Sequence, residues 1–107
     1  MTPAEAEGWG RGVTKRLTSS DVPEAVLARV RERDGGGGCV ACRRRGLQTP
    51  SSEPIEVDHL QPLARGGDWH WSNLRLLCRW HNRGRAARAK LPESPPWARG
   101  PGASPPR

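Results

Sequence analysis

Two pairs of residues in this sequence have the spacing of metal-binding knuckles. Cys39 and Cys42 are separated by two residues, and Cys78 and His81 repeat that gap further along the chain. Four nitrogen and sulfur ligands complete the tetrahedron of a closed structural zinc site. The predicted zinc ligands are Cys39, Cys42, Cys78 and His81. The alternative is that the cysteines are small buried apolar residues and that His81 lies at the surface.

Polar residues suited to hydrolysis lie between and after these knuckles. Asp58 and His59 are adjacent at the end of a short alternating segment. A carboxylate beside a histidine can hold a divalent cation next to a general base, and phosphodiester hydrolysis needs both, because water must lose a proton and the leaving oxygen must be neutralised. The pair alone is a weak signal, since many such pairs are surface hydrogen bonds. Asn73, after a Gly-Gly loop, and Asn82, directly after His81, are the other candidates.

The chain is strongly basic, with 18 Lys and Arg against 11 Asp and Glu, a net charge of +7 and a pI near 10.9. Arginines follow the first knuckle, and a basic run without any acidic residue follows Cys78. Such cations neutralise phosphates and release counterions, which predicts nucleic-acid binding that weakens with salt. The alternative is an ordinary solvated helix face. The predicted contacts are Arg43, Arg44, Arg45, Arg79, Arg83, Arg85, Arg88 and Lys90.

The apolar content is too low for a large self-sufficient core. Nine Leu, six Val, one Ile and no Phe make up about 15% of the chain, below the roughly 20% at which disorder is expected of a charged sequence. No stretch approaches the ~18 to 20 apolar residues of a membrane span. A bound structural zinc contributes an apparent ~10 to 16 kcal/mol to folding and can offset the missing core. A mostly disordered basic protein is the competing interpretation.

The hydrophobic pattern predicts the elements that position these residues. Three valines recur four residues apart across 21–33 and predict an amphipathic helix, which begins near Asp21 and Pro23 and ends at the glycines of 35–38. The other predicted elements are short strands at 55–57 and 74–77 and a helix from 79 to about 90. Together they predict a small α+β domain.

The predicted domain covers 21–91, between a flexible leader at 1–20 and a Pro-rich disordered tail at 92–107. The N-terminus has no apolar run typical of a signal peptide, so we expect a cytoplasmic location in which the cysteines are reduced. Because the sequence has no Tyr or Phe, Trp69, Trp71 and Trp80 are expected to pack in the core or cover a hairpin rather than stack on bases. We expect His70 to be an exposed loop residue rather than a second general base, and assign no role to the tryptophans of the leader and the tail.

In this order, the residues resemble an HNH endonuclease of the ββα-metal family. The matching segments are the first knuckle, with Cys39 and Cys42, and VDHLQPLARGGDWHWSNLRLLCRWHN over 57–82; the resemblance covers about 21–91. The combination is specific, although each piece alone is not. The resemblance implies a ββα-metal finger, in which a two-stranded hairpin and a helix surround one catalytic cation. A structural zinc holds the lower end of this finger together.

The resemblance also implies a role for each residue. Asp58 matches the metal-binding acid, His59 the general base, and Asn73 the central asparagine that fixes the loop and helps to orient the histidine. The usual final cysteine followed by a metal-binding histidine is replaced here by His81 and then Asn82. This is similar to H-N-N variants, which assigns His81 to zinc and Asn82 to the catalytic cation. The alternative gives His81 to the catalytic metal and leaves zinc with three cysteines and a water.

The implied activity is hydrolysis of DNA with one Mg²⁺ or Mn²⁺ held by Asp58 and Asn82. Neutral His59 takes a proton from water, the water attacks phosphorus, and the cation stabilises the pentavalent state and the departing 3′-oxygen. The expected substrate is double-stranded DNA, nicked or cut in both strands. The alternative function is a zinc-stabilised nucleic-acid-binding module without catalysis. A homodimer, or a partner that supplies sequence specificity, is a further expectation.

Overall fold

The computed structural model describes residues 1–87 and Trp97, and it is the small α+β fold that the sequence predicts. Its helices and strands are α1 (Pro3–Gly8), α2 (Glu24–Asp34), α3 (Val40–Arg44), β1 (Ile55–His59), β2 (Leu74–Cys78) and α4 (Arg79–Ala87). Short 3₁₀ turns lie at Ser19–Asp21, Leu63–Arg65 and Trp71–Asn73. Among these residues no helix is long and apolar enough to cross a membrane.

Strands β1 and β2 form a two-stranded sheet. Just beyond the strand ends, the backbone N–H of Leu60 donates to the carbonyl of Asn73, and that of Arg79 donates to the carbonyl of Pro54, both at 2.9 Å. The partner numbers rise on one strand as they fall on the other, so the pairing is antiparallel. The same register sets Asp58 opposite Arg75. The β–β–α order of β1, β2 and α4 is the order that the resemblance implied.

Contacts divide the chain into two compact units. The first combines Met1–Gly37 with Val57–Leu76, and the second combines Gly38–Glu56 with the chain from Leu77 onward. The core of the first unit is a single cluster of buried side chains. Its members are Ala6, Val22, Val26, Val30, Trp69, Leu74 and Leu76. The fully buried valines of α2 confirm the predicted apolar stripe of this helix.

The start of α2 differs from the prediction, whereas its end agrees. The helix begins at Glu24, after Pro23, and Asp21 lies in the preceding 3₁₀ turn, where its carboxylate accepts from the backbone N–H of Thr18. A residue before proline avoids the helical conformation, so the helix cannot extend back through Val22. Gly35 ends it with a φ of 82°, in the left-handed region that favours glycine.

The N-terminal residues carry structure that the sequence pattern did not predict. Helix α1 is capped at its N-terminus by a capping box between Thr2 and Glu5. The carbonyl of Gly10 accepts from the backbone N–H of Trp69 at 3.2 Å, and the indole N–H of Trp69 donates to the carbonyl of Lys15 at 2.9 Å. A helix of six residues is too short for its own periodicity to be informative, and these tertiary contacts hold the segment in place.

The second unit has its own buried cluster, formed by Cys39, Val40, Cys42, Leu77 and Cys78. Helix α3 lies where the sequence predicted only a tight turn, and it begins with the Cys39 sulfur accepting from the backbone N–H of Cys42. Helix α4 begins at Arg79, as predicted, and is described up to Ala87. The helix was predicted to continue to about residue 90, but this continuation lies outside the described residues. The same holds for nearly all of the predicted tail at 92–107.

Candidate metal centre and active site

The predicted zinc ligands lie together in the second unit. The Nδ1 atom of His81 is 3.4 Å from the sulfur of Cys39, 3.5 Å from that of Cys42 and 3.2 Å from that of Cys78. The sulfurs of Cys42 and Cys78 are 4.0 Å apart. A tetrahedral zinc has bonds of about 2.3 Å to sulfur and 2.0 to 2.1 Å to nitrogen. These bonds require about 3.6 Å between the nitrogen and each sulfur and about 3.8 Å between two sulfurs. The Cys₃His set therefore has the dimensions to hold such an ion.

Burial and local hydrogen bonds shape this cluster. All three cysteines are completely buried, and the backbone N–H of His81 donates to the sulfur of Cys78 at 3.4 Å. Burial raises the pKa of Cys42 and raises that of Cys78 to about 12, so both thiols are protonated at neutral pH when no metal is bound. Burial, with the nearby Arg45 charge, lowers the pKa of His81, which favours the neutral imidazole that a metal requires.

The position of His81 bears on the two ligand assignments. Its Nδ1 atom faces the three sulfurs, and its Nε2 atom is buried with no hydrogen-bond partner among the described residues. The ring packs edge-on against Trp80, with the ring centroids 5.0 Å apart. This geometry favours the assignment of His81 to the zinc cluster rather than to the catalytic cation.

Asp58 lies in the first unit and forms an ion pair across the sheet. Its Oδ2 atom accepts from the Nε–H of Arg75 at 2.7 Å, and the two residues face each other in the strand register. The Asp58 side chain is 11% exposed, and that of Arg75 is 24% exposed. The carboxylate predicted to bind the catalytic cation is thus held by a cation of the protein itself.

His59, the predicted general base, is half-buried beside Trp69. The two rings meet edge to face, with centroids 4.3 Å apart and planes at 87°. Burial lowers the pKa of His59, although the charges of Asp58 and Asp68 act in the opposite direction. A lowered pKa keeps the imidazole neutral at pH 7, and the neutral ring is the form that can accept a proton from water.

Asn73 bonds across the loop that connects the two strands. Its Oδ1 atom accepts from the backbone N–H of Gln61 at 2.8 Å, while its Nδ2 atom donates to the carbonyls of Gln61, at 3.1 Å, and Asp68, at 2.8 Å. Gly67 makes this arrangement sterically possible, because a Cβ there would lie 1.8 Å from the Gln61 carbonyl oxygen and 2.9 Å from Asn73 Nδ2. Asn73, the residue before β2, therefore holds the start of the loop, at Gln61, and its later part, at Asp68.

Asn82 lies on α4 in the second unit, where its Nδ2 atom donates to Glu56 Oε1 at 3.1 Å. Glu56 also accepts from the Nε–H of Arg79 at 3.2 Å. These hydrogen bonds, with that from Asn82 the largest influence, hold the pKa of Glu56 below its ordinary value. The contact uses the amide nitrogen and leaves Oδ1 of Asn82 as the atom suited to a cation. A shared role of Asn82 and Asp58 toward one cation stays a prediction.

His70 is not the exposed loop residue that the sequence predicted. It is 6% exposed, and its Nε2 atom lies 2.6 Å from the carbonyl oxygen of Glu7, to which it donates. The Nδ1 atom then accepts from the hydroxyl of Ser72 at 2.7 Å. The contact with Glu7 involves residues distant in sequence, which explains why local loop composition was misleading. Both ring nitrogens are engaged, Nε2 by the N-terminal segment and Nδ1 by Ser72, and this arrangement suits a structural role.

Most of the predicted nucleic-acid contacts that the structure describes are exposed arginines in the second unit. Arg43, Arg44 and Arg45 lie on and directly after α3, and Arg79 and Arg83 lie on α4. Arg79 is also paired with Glu56. Arg88 and Lys90 lie outside the described residues, as does the side chain of Arg85.

The tryptophans pack as the sequence predicts. Trp69 is 3% exposed within the core of the first unit, and Trp71 packs against that core with the Arg29 guanidinium 3.8 Å from its ring centroid. Trp80 packs beside the cysteine cluster. Trp9 and Trp97, to which the sequence assigned no role, pack on the cores of the first and second units respectively.

Sequence reasoning missed two charged residues that contact the predicted site residues. Arg75 pairs with Asp58, and Glu56 accepts from Asn82. Arg75 lies on the predicted second strand, but its position opposite Asp58 depends on the strand register, which the long connecting loop does not fix. Glu56 had no comparable signal, since its partner lies on a helix whose docking is not encoded in local spacing.

Comparison with known proteins supports the family suggested by these residues. Residues 39–84 match the family model described as HNH endonuclease. Neither the curated proteins nor the solved structures contain a match to this chain. The matched segment contains both knuckles, the Asp-His pair, Asn73 and Asn82. Over residues 39–84 the chain is therefore similar to HNH endonuclease domains.

Proposed function

We propose that this protein is a metal-dependent HNH endonuclease that hydrolyses phosphodiester bonds in DNA. The observation that carries the proposal is the half-buried His59, which has a lowered pKa and directly follows a cross-strand-paired carboxylate, Asp58, inside an HNH-family match. A neutral imidazole next to a carboxylate supplies a base and a cation ligand at one position of the chain.

In this mechanism His59 accepts the proton from water as the water attacks phosphorus. Trp69 holds the His59 ring edge-on and limits its rotation. Asn73 keeps the connecting loop closed through Gln61 and Asp68, so that the strand end carrying His59 is held in one conformation. A Mg²⁺ or Mn²⁺ bound by Asp58 would supply positive charge for the phosphate and the leaving 3′-oxygen.

We assign zinc to the Cys₃His cluster as a structural ion. Three thiolates and one imidazole form a closed set without a position for substrate, which is typical of structural zinc rather than catalytic zinc. Both described cores are small, and the three cysteines lie in the core of the second unit, where a bound zinc would replace apolar burial as the main stabilising interaction.

We assign DNA contact to the exposed arginines of the second unit. They lie on α3 and α4 and in the residue that follows α3. The two helices carry the predicted ligands Cys42 and His81, and each begins directly after another predicted ligand. Their charges would neutralise phosphates without reading sequence, so binding should fall steeply with salt. The predicted set consists of Arg43, Arg44, Arg45, Arg79 and Arg83, with Arg85, Arg88 and Lys90 as predictions from the sequence.

The second candidate function is a zinc-stabilised nucleic-acid-binding module without catalysis. The Asp58–Arg75 ion pair favours it, because a cross-strand pair of this kind also occurs as a purely structural feature. Under this alternative His59 would be a packing residue against Trp69. Cleavage activity, rather than DNA binding, distinguishes the two functions.

The decisive experiment is a plasmid-nicking assay on the zinc-loaded full chain with Mg²⁺, Mn²⁺ or EDTA. We expect cleavage with either cation, none with EDTA, and a loss of about 100-fold or more in His59→Ala, in line with the typical contribution of a general base. Ser52→Ala, an exposed loop residue of the second unit, is a matched control that should cleave like the parent chain. Equal cleavage by His59→Ala would contradict the proposal, and DNA binding without cleavage would establish the binding module.

A further inference from the structure

Arg75 is the charged residue that most directly changes the chemistry of Asp58. The antiparallel register places the two residues opposite each other, and the Arg75 Nε–H donates to Asp58 Oδ2 at 2.7 Å. Such a short charge-assisted hydrogen bond is among the stronger polar interactions in proteins. Since Asp58 is nearly buried, its negative charge needs a partner when no divalent cation is bound.

The same guanidinium opposes a divalent cation at Asp58. Mg²⁺ and Mn²⁺ bind carboxylate oxygens at short distance, which would bring two like charges within a few ångströms of each other in a partly buried site. Arg75 retains 24% side-chain exposure, against 11% for Asp58, so its guanidinium has a route to solvent that the carboxylate lacks. The geometry therefore allows an exchange in which the cation enters and the guanidinium moves away.

We propose that Arg75 is a resident counter-ion of Asp58 that competes with the divalent cation and lowers its affinity. The inference rests on the proposed function, because it takes Asp58 as a cation ligand. Arg75 stabilises the metal-free fold by pairing with a buried carboxylate, and the site becomes loaded only when the cation concentration is high enough to displace it. Arg75 thus acts through Asp58 and sets the cation concentration at which the site becomes loaded.

A purely structural role for Arg75 makes the opposite prediction. If the guanidinium only orients the carboxylate for the cation, its removal leaves Asp58 misplaced and weakens cation binding. If it competes, its removal tightens cation binding even though it destabilises the metal-free fold. The sign of the change in cation affinity therefore separates the two roles without any measurement of cleavage.

The test is a Mn²⁺ titration of the zinc-loaded full chain, followed by the electron paramagnetic resonance signal of free Mn²⁺. We expect Arg75→Gln to bind Mn²⁺ at least ~10-fold more tightly than the parent chain. Arg75→Lys keeps the positive charge and should remain within ~3-fold of the parent. Asp58→Asn should lose the site in both the parent and the Arg75→Gln background. If Arg75→Gln binds Mn²⁺ no more tightly than the parent, and the parent still has the Asp58-dependent site, the proposed competition is wrong. The cation site itself would then stand.

A second measurement on the unmodified chain covers the case in which Arg75→Gln does not fold. The Arg75 Nε–H resonance, detected by nuclear magnetic resonance, should move as Mg²⁺ is added, because its hydrogen bond to Asp58 is exchanged for one to water. An Nε–H resonance that stays in place while Asp58 binds Mg²⁺ overturns the inference. Absence of any Asp58-dependent cation binding contradicts the catalytic site itself, and the inference then fails together with it.

Discussion

Zinc binding to the Cys₃His cluster should depend steeply on pH. The number of thiols that burial keeps protonated sets the minimum change in zinc affinity per pH unit. Burial raises the pKa of Cys42 and raises that of Cys78 to about 12, so both thiols carry protons at neutral pH in the metal-free chain. Zinc binds the thiolates, and these protons must leave when the ion enters. His81 releases none near pH 7, because its lowered pKa already keeps it neutral.

The magnitude follows from the number of protons released. Each proton displaced on binding changes the apparent affinity tenfold per pH unit, or about 1.4 kcal/mol. At least two protons leave, from Cys42 and Cys78, so the apparent zinc affinity should rise by at least ~100-fold per unit between pH 6 and 8. The sign is fixed, since a thiol with a raised pKa is harder to deprotonate and higher pH removes that cost.

The assay is competition for zinc between the full chain and a chromophoric chelator, repeated at half-unit steps from pH 6 to 8. Cys78→Ser is the matched control, because it keeps a residue of similar size while removing one of the protonated thiols. Because this variant releases one proton fewer, its zinc affinity should change about tenfold less per pH unit than that of the parent chain. A parent-chain affinity that changes by tenfold or less per pH unit would show that one of these thiols is already ionised, and would refute the reasoning.

Three further predictions concern the loop that Asn73 ties together, the N-terminal segment and the general base. Gly67→Ala should lower the free energy of unfolding by about 3 kcal/mol, because its Cβ would overlap the Gln61 carbonyl oxygen; urea unfolding measures it, and Gly8→Ala, with open space around its Cβ, is the control. Hydrogen bonds from the backbone N–H groups of Gly12 and His70 lower the pKa of Asp68. The stability they provide is present above the unfolded pKa, near 4, and is lost as pH falls through the lower folded pKa, so Asp68→Asn should flatten the loss of stability below about pH 4 in acid unfolding. Because burial lowers the pKa of His59, the acid limb of the cleavage rate should have its midpoint below pH 6.5, and a midpoint above that value would argue against His59 as the base.

Local patterns were sufficient for the parts of this protein that depend on residue spacing. The two-residue gaps of the knuckles predicted the four residues that form one cluster, because a tight knuckle brings its own first and last side chains together. The four-residue spacing of the valines predicted the buried face of α2, since that spacing returns to the same side of a helix. The short strands and the start of α4 followed from alternation and from the position of Cys78.

Tertiary structure decided which residues surround the predicted site. The N-terminal segment is held by His70 and Trp69, residues far away in sequence, and nothing in the composition of 1–20 indicates that contact. Arg75 reaches Asp58 only because of the register between two strands, and Glu56 reaches Asn82 only because α4 docks beside β1 within the second unit. The sequence by itself therefore identified the candidate ligands and the candidate base, whereas their charge partners depend on contacts between distant segments, whose geometry exists only after folding.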